Sequence, residues 1–154
     1  MTRRATALVA RDIDVSTQVV DASATLPAFF ADEADAFAEA VLDSFVQVAT
    51  VVPAHWLLEC GNAACTAMRR GRLDATERDL VALRIAALPV EIDEAPSPLP
   101  GVLAIADRHR LSAYDAAYLE LAIRRGSVLV TRDERLAAAA RAARHPVRYR
   151  RPRR

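Results

Sequence analysis

The chain has 154 residues, 53% apolar and 27% charged, which suits one globular domain and excludes disorder over most of its length. Its 21 basic residues, all arginine, nearly balance 20 acids, for a formal charge of +1. The absence of lysine excludes a P-loop, Schiff-base and pyridoxal-phosphate chemistry, and argues against phosphoacceptor receivers and haloacid-dehalogenase-like phosphatases.

Taken in chain order, residues 17–20 are a β-branched apolar run ending at Asp21, the pattern of a buried strand. Residues 24–30 read as one or two helical turns. The Ala-rich segment 32–45 carries Phe37, Val41, Leu42 and Phe45 at helical spacing. A second apolar strand is expected at 48–52, closed by Pro53. A helix follows over 54–70, with Gly71 in the usual C′ position. Asp74-Ala-Thr-Glu77 has the form of a capping box and opens a helix to about Leu88. A third strand is expected at 89–92, and the proline-bearing stretch 93–101 as a loop before a short helix at 102–109. Ser112 caps a helix that runs to Arg125 and stops at Gly126. Strand 127–131, an Ala-rich helix over 134–144 and a last strand at 147–150 complete the pattern. Unbroken apolar strands alternating with helices argue for an α/β fold, a parallel sheet covered on both faces. In such sheets the site lies at the carboxyl ends of strands.

Charge is unevenly spread. Nine acids and no arginine fall between Asp12 and Met68, while Arg124 to Arg154 holds eleven arginines against Asp133 and Glu134. Two electrostatic roles, or solvated helix faces with a ragged terminus, both accommodate this. Cys60 and Cys65 do not make a disulfide framework and read as buried thiols. The apolar run after Arg3 and Arg4 stops at Arg11 and Asp12, too soon for a signal peptide. The longest uncharged stretch, 44–58, is too short to span a bilayer. A cytoplasmic protein without membrane contact is expected.

Four acids stand out. Asp21 and Asp133 follow strands, where the rule for parallel sheets puts a site. Glu59 and Asp115 lie near helix starts inside apolar stretches, where a carboxylate is costly without compensation. Each has a structural alternative: an Asx turn for Asp21, a half-exposed helix acid for Glu59, a first-turn acid for Asp115, a helix cap for Asp133. Gathered together they would repel, and hard Mg²⁺ or Mn²⁺ would resolve the conflict with oxygen ligands. Glu120, five residues after Asp115, points away from it and is expected at the surface or rim. Asn62, one turn after Glu59, is a candidate hydrogen-bond partner near the site or a packing residue. Tyr118 is read as core. His55, His109 and His145 form no motif, so a histidine-based ribonuclease or a zinc site has no support.

Four segments resemble a PIN-domain ribonuclease, specifically a VapC-type toxin of a toxin–antitoxin pair. They are Val19-Val-Asp21-Ala-Ser23, Val52-Pro-Ala-His-Trp-Leu-Leu-Glu59-Cys-Gly-Asn62, Leu111-Ser-Ala-Tyr-Asp115-Ala-Ala-Tyr118-Leu-Glu-Leu-Ala, and Thr131-Arg-Asp133-Glu-Arg-Leu136. The third is the most specific, and their order and separations match the family. The resemblance implies a PIN-like three-layer α/β/α fold with a parallel sheet of four to five strands, over residues 17–150. An N-terminal extension (1–16) and a basic tail (151–154) flank it. The extension is a departure, because the family usually begins its first strand within a few residues of the initiator.

The resemblance implies that Asp21, Glu59, Asp115 and Asp133 form a catalytic metal pocket for Mg²⁺ or Mn²⁺, with Asp21 and Asp115 as direct ligands. Glu59 and Asp133 would be ligands directly, through water, or positioners of the nucleophile. Thr131 and Ser23 would support the first acid. It further implies an RNA substrate cut to leave a 5′-phosphate and a 3′-hydroxyl, pairing as a homodimer, and neutralisation by a cognate VapB-type antitoxin. Helices 34–45 and 54–68 are where the antitoxin groove is expected, and the arginines from Arg124 to Arg154 are candidates for seating the RNA backbone. A housekeeping PIN nuclease in RNA processing and a non-catalytic RNA- or protein-binding module on the same scaffold are the alternatives.

Overall fold

The computed structural model describes residues 14–95 and 98–151. Strands β1 (Asp14–Val20), β2 (Ala49–Pro53), β3 (Val90–Asp93), β4 (Ser127–Thr131) and β5 (Val147–Tyr149) form one sheet in the order β3-β2-β1-β4-β5. All four pairings are parallel. The helices are α1 (Ala22–Thr25), α2 (Ala36–Gln47), α3 (Trp56–Arg69), α4 (Ala75–Ala86), α5 (Leu99–His109), α6 (Ala113–Arg125) and α7 (Glu134–Ala142), with a 3₁₀ turn at Leu26–Phe29. The sheet therefore falls within the expected range of strands, and all are parallel as expected.

Successive strand residues face opposite sides of a sheet. Val19 and Leu129 pack with Trp56, Tyr118, Leu119 and Leu136 of α3, α6 and α7. Their neighbours Val20 and Val130 pack with Phe37, Val41 and Phe45 of α2. Helices thus cover both faces, which is why the strands read as continuous apolar runs. The chain builds outward from β1 to β2 and β3, then returns to the other side of β1 for β4. That reversal opens a crevice at the carboxyl ends of β1 and β4. No helix among the described residues is long and apolar enough to cross a membrane.

Local signals set several boundaries. Asp74 accepts from the Glu77 amide at 2.8 Å while the Glu77 carboxylate accepts from the Asp74 amide at 2.8 Å, the full capping box. Asp74→Ala should cost about 1 kcal/mol, read as a lower urea midpoint at constant slope. Gly126 closes α6 at φ 63°, in the left-handed region that favours glycine.

Four expectations need correction. First, β1 begins at Asp14, three residues before the apolar run, and the rest of the expected extension lies outside the described residues. Second, α5 starts at Leu99 inside the expected loop, with Pro100 in its first turn, where a missing N–H costs nothing. Third, Cys60 is buried, its thiol pushed up to about 12 by that burial, but Cys65 is exposed. Fourth, Glu120 is buried, and Arg124 reaches it at 2.9 Å and Asp93 at 2.7 Å. A guanidinium one turn away on the same helix is what lets an acid enter the interior there.

Candidate active site

Asp21, Glu59, Asp115 and Asp133 line one cleft of about 300 Å³, together with Ser23 and Asn62. Each acid comes from a different place. Asp21 follows β1 and caps α1, Glu59 sits in the first turn of α3, Asp115 in the first turn of α6, and Asp133 caps α7 after β4. The structural alternatives are realised as well: Asp21 and Asp133 cap helices, Asp115 lies in a first turn and Glu59 is half-exposed on its helix, and none of these roles consumes the whole carboxylate.

Asp21 is buried, and its Oδ2 accepts from Ser23 Oγ at 2.5 Å and Thr131 Oγ1 at 2.7 Å. Thr131 Oγ1 in turn accepts from the Asp133 amide at 2.9 Å, tying the first acid to the last. Ser23 Oγ also accepts from the Arg132 amide at 3.0 Å. Both hydroxyls thus hydrogen-bond directly to Asp21. Burial nevertheless pushes the Asp21 carboxyl up to about 6, against the hydrogen bonds that lower it. Glu59 is also raised, chiefly by burial, although the Tyr118 hydroxyl donates to its Oε2 and pulls the other way. Asp115 Oδ2 accepts from Ser112 Oγ at 2.6 Å, and Asp133 Oδ1 accepts from the Leu136 amide at 2.7 Å. Among the described residues, Glu59 Oε1, Asp115 Oδ1 and Asp133 Oδ2 meet no protein donor. Asn62 lines the cleft from an exposed position on α3.

Three neighbours of the acids were not apparent beforehand. Tyr118 is fully buried, as expected of core, yet its hydroxyl holds Glu59. Ser112 restrains Asp115, for which the Ser-x-x-Asp spacing was the signal. His55 lies 3.7 Å from Glu59 Oε2 and edge-on to Tyr114 and Tyr118. Its position four residues before Glu59 placed both on one helix face.

The donor set is all oxygen and suits a hard divalent ion. A buried Asp21 with no cation against it is the electrostatic debt such an ion would relieve. Among the described residues, no three His, Cys, Asp or Glu side chains already stand within shared reach of one ion. The carboxylates surround an opening rather than touch a common point.

The expected RNA contacts divide sharply. Arg132 is buried and bidentate to Asp35, at 3.0 and 2.7 Å. Arg124 is held by Asp93 and Glu120, and Arg125 by Glu91. These three candidates are already paired with carboxylates, Arg132 in the interior and Arg125 at the surface.

The PIN domain family matches residues 19–142, a span that contains all four acids. The chain belongs to the PIN-domain family. Among solved structures it is similar to PAE2754 from Pyrobaculum aerophilum, at 30% identity and a TM-score of 0.62, covering 80% of this chain and 85% of that one. It is also similar in fold to VapBC2 from Rickettsia felis bound to a DNA fragment from their promoter, at 12% identity and a TM-score of 0.60. That match covers 87% of this chain and 98% of the other. No curated protein matches the sequence. Family membership supports a hydrolase of nucleic acids.

Proposed function

We propose that this PIN domain is a metal-dependent endoribonuclease, the toxin of a toxin–antitoxin pair held in check by a VapB-type antitoxin. The observation that carries the reading is the convergence of Asp21, Glu59, Asp115 and Asp133 on one cleft at the sheet's switch point. Asp21 and Asp115 would hold Mg²⁺ or Mn²⁺, with Glu59 and Asp133 completing the set. Such an ion, when bound, supplies Lewis-acid polarisation of a phosphodiester and acidifies water. The protein's part is to fix the carboxylates. Ser23 and Thr131 hold Asp21, Tyr118 holds Glu59, and Ser112 holds Asp115. Each bond removes rotational freedom that ion binding would otherwise have to freeze.

The fold shared with VapBC2 supports the antitoxin partner. On the helices expected to form the groove, 34–45 and 54–68, α2 buries Phe37, Val41 and Phe45 and α3 buries Trp56, Cys60 and Ala64, while Leu57 and Leu58 of α3 stay exposed. An open cleft of about 470 Å³ lies between the 3₁₀ turn and α4, lined by Phe29, Phe30, Leu73, Leu80 and Val81. We assign the antitoxin segment to that cleft. Pairing as a homodimer and a cytoplasmic location belong to the same reading.

Purified protein free of antitoxin should cut total cellular RNA into discrete fragments with Mg²⁺ or Mn²⁺ and not with EDTA. The fragments should carry 5′-phosphate and 3′-hydroxyl ends. Asp115→Asn should lower the rate by about a hundredfold or more. Cleavage that persists in EDTA, or equally in the variant, would refute the assignment.

A further inference from the structure

An acidic cleft repels a polyanion, so cations beside it must seat the strand. Several arginines are already committed to carboxylates: Arg132, Arg124 and Arg125 as above, and Arg72 to Asp32 and Glu33. The outer edge of the sheet is different. β5 runs parallel to β4, with Tyr149 in register with Thr131. The chain therefore leaves β5 at the same end of the sheet as Asp133. Arg148 is exposed, its guanidinium 5.4 Å from the Phe37 ring centre, and Arg132 lies 5.6 Å from the same ring. Phe37 thus bridges the wall beside Asp133 to the β5 edge. Arg151 approaches Glu134, the residue after Asp133, at 4.0 Å, with both side chains largely exposed. Arg150 stands exposed between Arg148 and Arg151. Among the described residues, Arg148 and Arg150 meet no carboxylate.

We propose that Arg148, Arg150 and Arg151 form the track that seats the RNA backbone next to the four-acid cleft, an inference that rests on the ribonuclease reading. Arg148 and Arg150 bind phosphates without first breaking an ion pair, and the 4.0 Å contact of Arg151 with Glu134, exposed on both sides, costs little to give up. Their position at the rim leads a bound strand toward Asp133 without placing a cation among the carboxylates.

The test is anisotropy of a fluorescent single-stranded RNA oligonucleotide of mixed sequence, in EDTA, over 50–300 mM salt (roughly the range in which phosphate contacts are titrated). The variants are Arg148→Ala/Arg150→Ala/Arg151→Ala and a charge-matched control, Arg69→Ala/Arg70→Ala/Arg78→Ala, at the end of α3 and the start of α4. The track variant should bind about tenfold or more weakly, with the log–log salt slope reduced by about 2. The control should lose about twofold at most. Thermal melts and Mn²⁺ titration should match the wild type for both. Three results would overturn the track: unchanged affinity and slope in the track variant, an equal loss in the control, or no binding by the wild type at low salt. Binding is read without cleavage, so the two proposals fail separately. A protein that binds through the track but never cuts RNA refutes only the nuclease. One that cuts with metal, yet binds RNA equally without these arginines, refutes only the track.

Discussion

Asp21→Asn should make the metal-free protein more stable at neutral pH while lowering cleavage by about a hundredfold or more. Burial raises the Asp21 carboxyl from 3.8 to about 6. The folded state therefore holds this proton more tightly than the unfolded chain does. Stability contributed by the protonated form is fully present below about pH 4 and is lost as pH rises through 6. Above that, the ionised group opposes folding by about 3 kcal/mol. Asparagine keeps an oxygen for the Ser23 and Thr131 hydroxyls and carries no charge. Melts in EDTA should show the variant up to about 10 °C above the wild type at pH 8, and level with it at pH 4. Added Mn²⁺ should stabilise the wild type in proportion to its binding and leave the variant nearly unmoved. A variant no more stable than the wild type at pH 8 would show that the hydroxyl bonds already compensate the buried charge.

The same residue shows why the site was legible in the sequence. Asp21 and Asp133 follow apolar strands directly, and Glu59 and Asp115 interrupt apolar helix starts, so each acid is locally anomalous. The elements with strong caps were equally plain: β4 spans the expected residues, and α6 runs from its Ser112 cap to Gly126. What escaped was tertiary. Tyr118 and Glu59 meet across 59 residues, and Arg124 and Asp93 across 31. No periodicity announces such a partner. Glu120 looked like a surface acid because nothing in the sequence shows Arg124 clamped between it and Asp93. The start of β1 was missed for a related reason. Asp14 pairs through its backbone with Ser127, and apolar patterning does not report backbone pairing.

Arg132 is where that tertiary layer bears most on the site. Its side chain and that of Asp35 are only 5% and 10% exposed, and the two are bidentate. Asp35 also accepts from the Phe37 and Ala38 amides at the start of α2. The Arg132 guanidinium, with those amides, holds the Asp35 carboxyl down to about 2. Arg132→Ala strands that carboxylate without its cation and should cost about 3–5 kcal/mol. Replacing both partners, as Arg132→Met with Asp35→Asn, should cost much less, because no unpaired charge remains and the cap survives. The sign of the pH dependence separates this pair from Asp21. Its contribution is present above about pH 4 and fades as pH falls toward 2, so the single variant should approach the wild type only in acid. Urea unfolding of both variants at pH 7 and pH 3 measures this. Equal losses in the single and double variants would mean that packing against Phe37, rather than charge pairing, anchors the 131–133 turn. That turn supplies Thr131 to Asp21 and carries Asp133 itself. Cleavage by the double variant therefore reports whether the ion pair serves only stability or also holds the carboxylates of the cleft in register.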